Sequence, residues 1–186
     1  MDTAHPDSQD IAAAIVRTLA LYSLAEFQTG HATTVRVYAE GLAFQVSDNG
    51  RGHAVDRTVA GQPYMDFVYT HLDFPFAQSA APPIQLHTIG LSFINTLCSQ
   101  LVVTAHKPGK VFRTTYRDGH LIGDETLSTG SSETGNTIAG TLRSGLQLHG
   151  VDVQRLRQWL GSVAAASPGL TLHFNEAVVP SNNATA

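Results

Sequence analysis

The sequence predicts an α+β fold: a two-layer sandwich with a mixed, mostly antiparallel sheet and helices over one face. Three observations carry this. An apolar helical segment near the start is followed at once by a strand hairpin. A middle stretch strings short strands together through Pro-Gly and Asp-Gly turns. A second amphipathic helix then precedes one last strand.

The elements follow in chain order. Residues 1–9 are polar, contain Pro6 and form a flexible tail, with Ser8 or Asp10 as helix cap. From Asp10 to Gln28, Ile11, Ile15, Leu19 and Tyr22 recur at helical spacing with no Gly or Pro inside. Thr29-Gly30-His31 ends that helix, with Gly30 as its cap. Thr34 to Tyr38 alternates as a strand, Glu40-Gly41 turns, and Leu42 to Asp48 returns. Tyr64 to Leu72 reads as a short helix, Asp73 to Pro83 as a loop and Gln85 to Gly90 as a second loop. Leu91 to Leu101 reads as a buried helix. The expected strands are Leu101 to Ala105, Lys110 to Tyr116 and His120 to Ile122, with Gly123 to Ser132 as a polar connection. Thr137 to Leu142 is a further strand. Asp152 to Ala166 is a helix with Val153, Leu156, Trp159, Leu160 and Val163 on its apolar side, stopped by Pro168-Gly169. Leu170 to Phe174 is the last strand. Residues 10–176 thus form one domain, and 177–186 a second flexible tail.

Composition narrows the function classes. The 186 residues are 42% hydrophobic and 14% charged, enough for one domain with a sizeable core. Net charge is -4 with no basic block, which argues against direct nucleic-acid binding. The single cysteine, Cys98, allows no internal disulfide. No run of about 18 apolar residues and no signal peptide is evident, so a cytoplasmic protein without a membrane span is expected. The nine histidines form no H-x-x-x-H or Cys/His cluster, and no G-x-S-x-G turn is present.

The most informative stretch is Val46-Ser47-Asp48-Asn49-Gly50-Arg51-Gly52. Asp48 sits at the mouth of a strand, beside backbone that glycines allow to come close. That suits reading the edge of a bound base. Asn49-Gly50 equally suits a plain hairpin turn.

Four segments together resemble the GHKL ATP-binding superfamily, and within it the N-terminal ATPase domain of the gyrase B and topoisomerase IV family. They are Thr29-Gly30-His31, Val46 to Gly52, Leu86-His87-Thr88-Ile89-Gly90-Leu91-Ser92-Phe93-Ile94-Asn95-Thr96-Leu97, and Glu133-Thr134-Gly135-Asn136. The resemblance covers about Ile11 to Phe174 and implies the GHKL (Bergerat-type) sandwich. It implies nucleotide binding by Asp48, Arg51, Gly52, Asn136, Thr137, Lys107 and Gly90. Asp48 would accept from the adenine amino group, a strong bond for a charged acceptor. Asn136 or Thr137 would support it, or Asn136 is a turn residue after Gly135. Glu26 and Arg51 match a pair flanking the pocket, or are a solvent-facing ion pair.

The sequence departs from the family where chemistry is done. Thr18 stands at the position of the catalytic glutamate, and its hydroxyl does not ionise near neutral pH. Tyr22 stands at the position of the magnesium-binding asparagine, and a phenol is a poor ligand for that hard cation. Glu26 lies roughly 12 Å along the helix from Thr18 at 1.5 Å per residue and cannot replace it. Ile84, Gln85 and Thr88 replace glycines of the phosphate loop, whose backbone N–H groups would wrap an anion. No catalytic and no metal-binding residue is therefore expected. The resemblance implies ATP or ADP as ligand, and the departure at Tyr22 argues against magnesium. The expected function is a stand-alone gyrase-B-like nucleotide-binding domain that takes an adenine nucleotide or similar planar ligand without efficient hydrolysis. One alternative is a working ATPase domain of a type II topoisomerase-like protein. Another is a non-catalytic binding or scaffold protein, holding an inhibitor or a protein partner in the same cleft.

Overall fold

The computed structural model describes residues 11–71, 90–144 and 150–180. The expected N-terminal tail, the loop Asp73 to Pro83 and the altered phosphate-loop positions Ile84, Gln85 and Thr88 lie outside the described residues.

Helix α1 spans Ile11–Gln28 and is followed by β1 (Thr34–Glu40) and β2 (Ala43–Asp48). A small hairpin, β3 (Thr58–Val59) and β4 (Gln62–Pro63), leads into α2 (Tyr64–Thr70). Next come α3 (Leu91–Leu97), β5 (Cys98–Lys107), β6 (Lys110–Arg117), β7 (His120–Ser128) and β8 (Gly135–Leu142). Helix α4 (Val153–Ala166), β9 (Thr171–Phe174) and β10 (Ala177–Val178) complete the described chain. The main sheet has eight strands in the order β10-β9-β1-β2-β8-β5-β6-β7. Its neighbours are antiparallel except β1 and β9, which run parallel. This is the expected mixed, mostly antiparallel α+β sandwich.

Alternation places the core. Val35, Val37 and Ala39 of β1 are buried, with Phe44 and Val46 of β2 beside them. Leu101, Val103 and Ala105 of β5, Tyr116 of β6, and Leu172 and Phe174 of β9 extend the same face. Helix α1 covers it with Ile15, Val16 and Leu19, and α4 with Leu156 and Leu160. The side chain of Asp152 accepts from the Arg155 N–H at 3.0 Å and caps α4. By length and mean hydropathy α1 is apolar enough to cross a membrane, although Arg17 and Glu26 interrupt its apolar run. Half of that window is buried inside this fold, as a core helix requires.

Four further expectations change. The helix beginning at Leu91 ends at Leu97, not Leu101, because Cys98 turns extended and pairs with Leu142. A bulge between Cys98 and Gln100 absorbs the change of period. Asn95 holds that helix in place: its amide nitrogen donates to the carbonyls of Tyr69 (2.9 Å) and Gly119 (3.1 Å). Gly123 to Ser128 is not a connection but the second half of β7. Every residue of β7 is exposed, so pairing with β6 makes it a strand and burial leaves no mark on its sequence. The β3–β4 hairpin was not anticipated. Finally, Ala177–Val178 pairs with β9 and Val179 is buried, so the folded chain runs past the expected boundary at 176.

Candidate functional site

The end of β2 opens into a cavity of about 550 Å³ between α1 and the sheet. Helix α1 contributes Leu19, Tyr22, Ser23 and Glu26, which share one face at spacings of three and four. The turn after β2 contributes Asp48, Arg51, Gly52 and His53. Asn136 and Ile138 from β8, Lys107 from the end of β5, Tyr64 and Leu91 close the wall.

Asp48 is held there from two sides. Its Oδ2 accepts from the Ser23 hydroxyl and its Oδ1 from the Gly50 N–H, both at 2.9 Å. Burial raises its pKa above the ordinary carboxylate value, against the Gly50, Ser23 and Asn136 hydrogen bonds that lower it. The turn itself is fastened from several sides. Asn49 Oδ1 accepts from the Thr33 and Thr34 N–H groups at 2.8 and 2.9 Å, so Asn49 ties the turn to the start of β1. Asn136 Oδ1 accepts from the His53 N–H at 2.8 Å. Gly52 has φ +73, and a Cβ there would stand 2.9 Å from the carbonyl oxygens of Gly135 and His106. Gly135 is tighter still, with φ +127 and the Asp48 carbonyl oxygen 1.9 Å from a Cβ. The two turns carrying Asp48 and Asn136 therefore lie backbone against backbone.

Glu26 and Arg51 pair across the rim. Arg51 donates from its guanidinium to Glu26 Oε1 at 2.8 Å and Oε2 at 3.1 Å, and its backbone N–H reaches Oε2 at 3.1 Å. The Arg51 hydrogen bond lowers the Glu26 pKa, outweighing burial. Arg51 is 60% exposed, so the pair contributes under about 1 kcal/mol. Glu26→Gln is accordingly expected to cost less than about 1 kcal/mol at neutral pH. The difference from wild type should shrink in thermal melts as pH falls through the lowered Glu26 pKa, because that stabilisation is present only while the carboxylate is ionised.

The expected site residues do not all meet. Asp48, Arg51, Gly52, Lys107 and Asn136 line the cavity. Thr137 does not: it pairs with Ser47 and Thr104, and alternation turns it to the face of β8 opposite Asn136 and Ile138. Gly90 is the N-cap of α3, and its neighbour Leu91 supplies the wall instead. Lys107 is tied to the backbone of the turn. Its ammonium donates to the carbonyls of Arg51 at 2.8 Å and Gly52 at 3.2 Å. Thr18 is buried and does not line the cavity, whereas Tyr22 does. Burial, then the nearby Tyr64, push the Tyr22 phenol up to about 12, so it stays neutral. A neutral phenol does not suit magnesium. Among the described residues no group of three or more His, Cys, Asp or Glu side chains is placed to hold a metal ion.

Sequence reasoning missed Ser23, His53 and Tyr64. Ser23 was legible in principle, one helical turn from Leu19 and Glu26 on the face that meets Asp48. His53 and Tyr64 follow irregular segments whose direction no periodicity reveals.

Comparison with known proteins fits this geometry. The DNA gyrase B protein of Streptococcus pneumoniae is 33% identical over 121 residues, covering 62% of this chain and 19% of that protein. The ATPase domain of Thermus thermophilus gyrase B, crystallised with an aminocoumarin, superposes with a TM-score of 0.73. That match is 24% identical and covers 88% of this chain and 42% of that one. The chain is similar in sequence to DNA gyrase B and shares the fold of its ATPase domain. The topoisomerase IV ATP-binding domain of Francisella tularensis, in complex with a small-molecule inhibitor, gives a TM-score of 0.71 at 20% identity. It covers 86% of this chain and 78% of that one. The gyrase-like chain spans about a fifth of the length of the curated relatives it matches. No family model matches it.

Proposed function

We propose that this gyrase-like domain binds an adenine nucleotide, or a planar ligand with the same hydrogen-bonding edge, without efficient hydrolysis. The observation that carries this is Asp48. It is a half-buried carboxylate fixed by Ser23 and Gly50 at the inner wall of a ligand-sized cavity. A charged acceptor there selects a ligand that presents an N–H donor, as an adenine amino group does. Gly52 keeps the adjoining backbone close and free of a side chain.

The residues around Asp48 favour binding without turnover. No carboxylate of α1 stands at the position of Thr18. The neutral Tyr22 phenol occupies the wall where a hard cation would need oxygen donors. The described cations around the cavity already have partners: Arg51 on Glu26, Lys107 on two carbonyls, and Arg57 over the Tyr64 ring at 5.3 Å. Phosphates entering here would meet few uncommitted charges.

The test is phosphate release from ATP with magnesium, followed to many equivalents. The expected result is no release above the buffer rate. Steady release that disappears in Asp48→Ala would establish a working ATPase and overturn the proposal. An alternative occupant is an inhibitor-like ring system, favoured by the aminocoumarin in the Thermus relative. Binding of such a compound with no binding of adenosine or ADP would select that alternative.

A further inference from the structure

His53 was not among the residues expected to act, yet it lines the same cavity as Asp48. The residue is half-buried and lines the cavity. Burial, then the nearby Lys107, depress its pKa to about 4, against a smaller opposing effect of Glu26. The imidazole is therefore neutral at physiological pH and carries one N–H.

The tautomer follows from its neighbour. His53 Nε2 lies 3.2 Å from the Tyr69 hydroxyl, with the rings edge-on at 5.8 Å and 88°. Tyr69 is fully buried, and burial holds its phenol protonated far above neutral pH. A buried hydroxyl hydrogen needs an acceptor. Nε2 provides it, so the proton of the neutral ring sits on Nδ1. Among the described residues, Nδ1 makes no hydrogen bond, and it is not one of the sealed, partnerless buried atoms.

We infer that His53 is a specificity-determining residue of this cavity, donating its Nδ1–H to an acceptor atom on the ligand while Asp48 accepts from a donor atom. Tyr69 is the positioning residue behind it. This rests on the adenine-type reading of the cleft and narrows it. The ligand carries a donor and an acceptor on the edge it shows the protein, as aminopurines do, and an edge with donors alone is selected against.

The experiment compares adenosine with 1-deazaadenosine and 7-deazaadenosine by calorimetry, using wild type, His53→Phe and Tyr69→Phe. Each deaza analogue lacks one ring acceptor and keeps the amino group. Wild type is expected to bind one of the two about tenfold more weakly than adenosine, as loss of one hydrogen bond implies. His53→Phe should bind all three alike. Tyr69→Phe keeps the ring but releases Nε2, so discrimination should fall while folding, checked by thermal melt, persists. Nitrogen-15 spectra of the histidine rings should show Nδ1 protonated in wild type and a mixture of tautomers in Tyr69→Phe. If wild type binds all three ligands equally, or His53→Phe keeps the discrimination, the inference fails while the proposed function stands. If wild type binds no adenosine at all, the adenine reading fails and the inference falls with it.

Discussion

Asp48→Ala is expected to bind adenosine or ADP about 10- to 150-fold more weakly than wild type, the range for losing a hydrogen bond to a charged group. The same substitution is expected to leave the fold largely intact. Burial raises the Asp48 pKa above its ordinary value, so the ionised carboxylate disfavours the folded state. The sign follows from linkage. Between the unfolded and the raised folded pKa the unfolded chain binds fewer protons, so stability falls as pH rises through that window. Above the folded pKa the penalty is constant. Removing the carboxylate removes the penalty, and this offsets the loss of its bonds to Ser23 and Gly50. Binding moves in the opposite direction, since the ligand needs the ionised acceptor. Affinity in wild type should therefore fall as pH drops through the raised Asp48 pKa, and in Asp48→Ala it should be flat until His53 begins to protonate near the acid end of the range. Calorimetry between pH 4 and pH 8 on both proteins checks this; a pH-independent wild-type affinity would remove Asp48 from the site.

Gly135→Ala is expected to destabilise the domain by about 3–5 kcal/mol, the upper range for a single substitution, through backbone strain. The φ of +127 lies in a region L side chains rarely adopt, and a Cβ would stand 1.9 Å from the Asp48 carbonyl oxygen. No side-chain rotamer relieves a clash of that kind, because the Cβ position is fixed by the backbone and the atom it meets is backbone. The turn bearing Asp48 has to separate from the start of β8, where Asn136 holds the His53 N–H. Urea unfolding should show the lower midpoint, and the surviving folded fraction should bind adenosine weakly. A near-wild-type midpoint would mean that the two turns are not packed as described.

Much of this was legible in the sequence, for identifiable reasons. Helix α1 declared itself through Ile11, Ile15, Leu19 and Tyr22, and Gly30, with φ +77, stops it where expected. The β1–β2 hairpin alternated cleanly because only one face is buried. The boundary at Leu97 was not legible: Leu91 to Leu101 is apolar throughout, and such a run does not say where a helix becomes a strand. The length of β7 was hidden because an exposed edge strand carries no burial pattern.

At the site, the family resemblance picked out Asp48, Gly52 and Asn136, which the structure gathers around one cavity. It could not show that Lys107 spends its charge on the carbonyls of Arg51 and Gly52, because that depends on a bond across 55 residues or more. Nor could it show Thr137 on the opposite face, since Asn136 and Thr137 are adjacent in sequence and only the strand register separates them. His53 was invisible because its partner Tyr69 lies beyond an unanticipated hairpin.

The most direct test of the central claim is a calorimetric titration with ADP, performed once in magnesium and once in EDTA. The account predicts one site with the same affinity in both, because Asp48 reads the base and Tyr22 stands where a cation would need oxygen ligands. Binding that strengthens tenfold or more in magnesium, or no heat at millimolar ADP in either buffer, would contradict it.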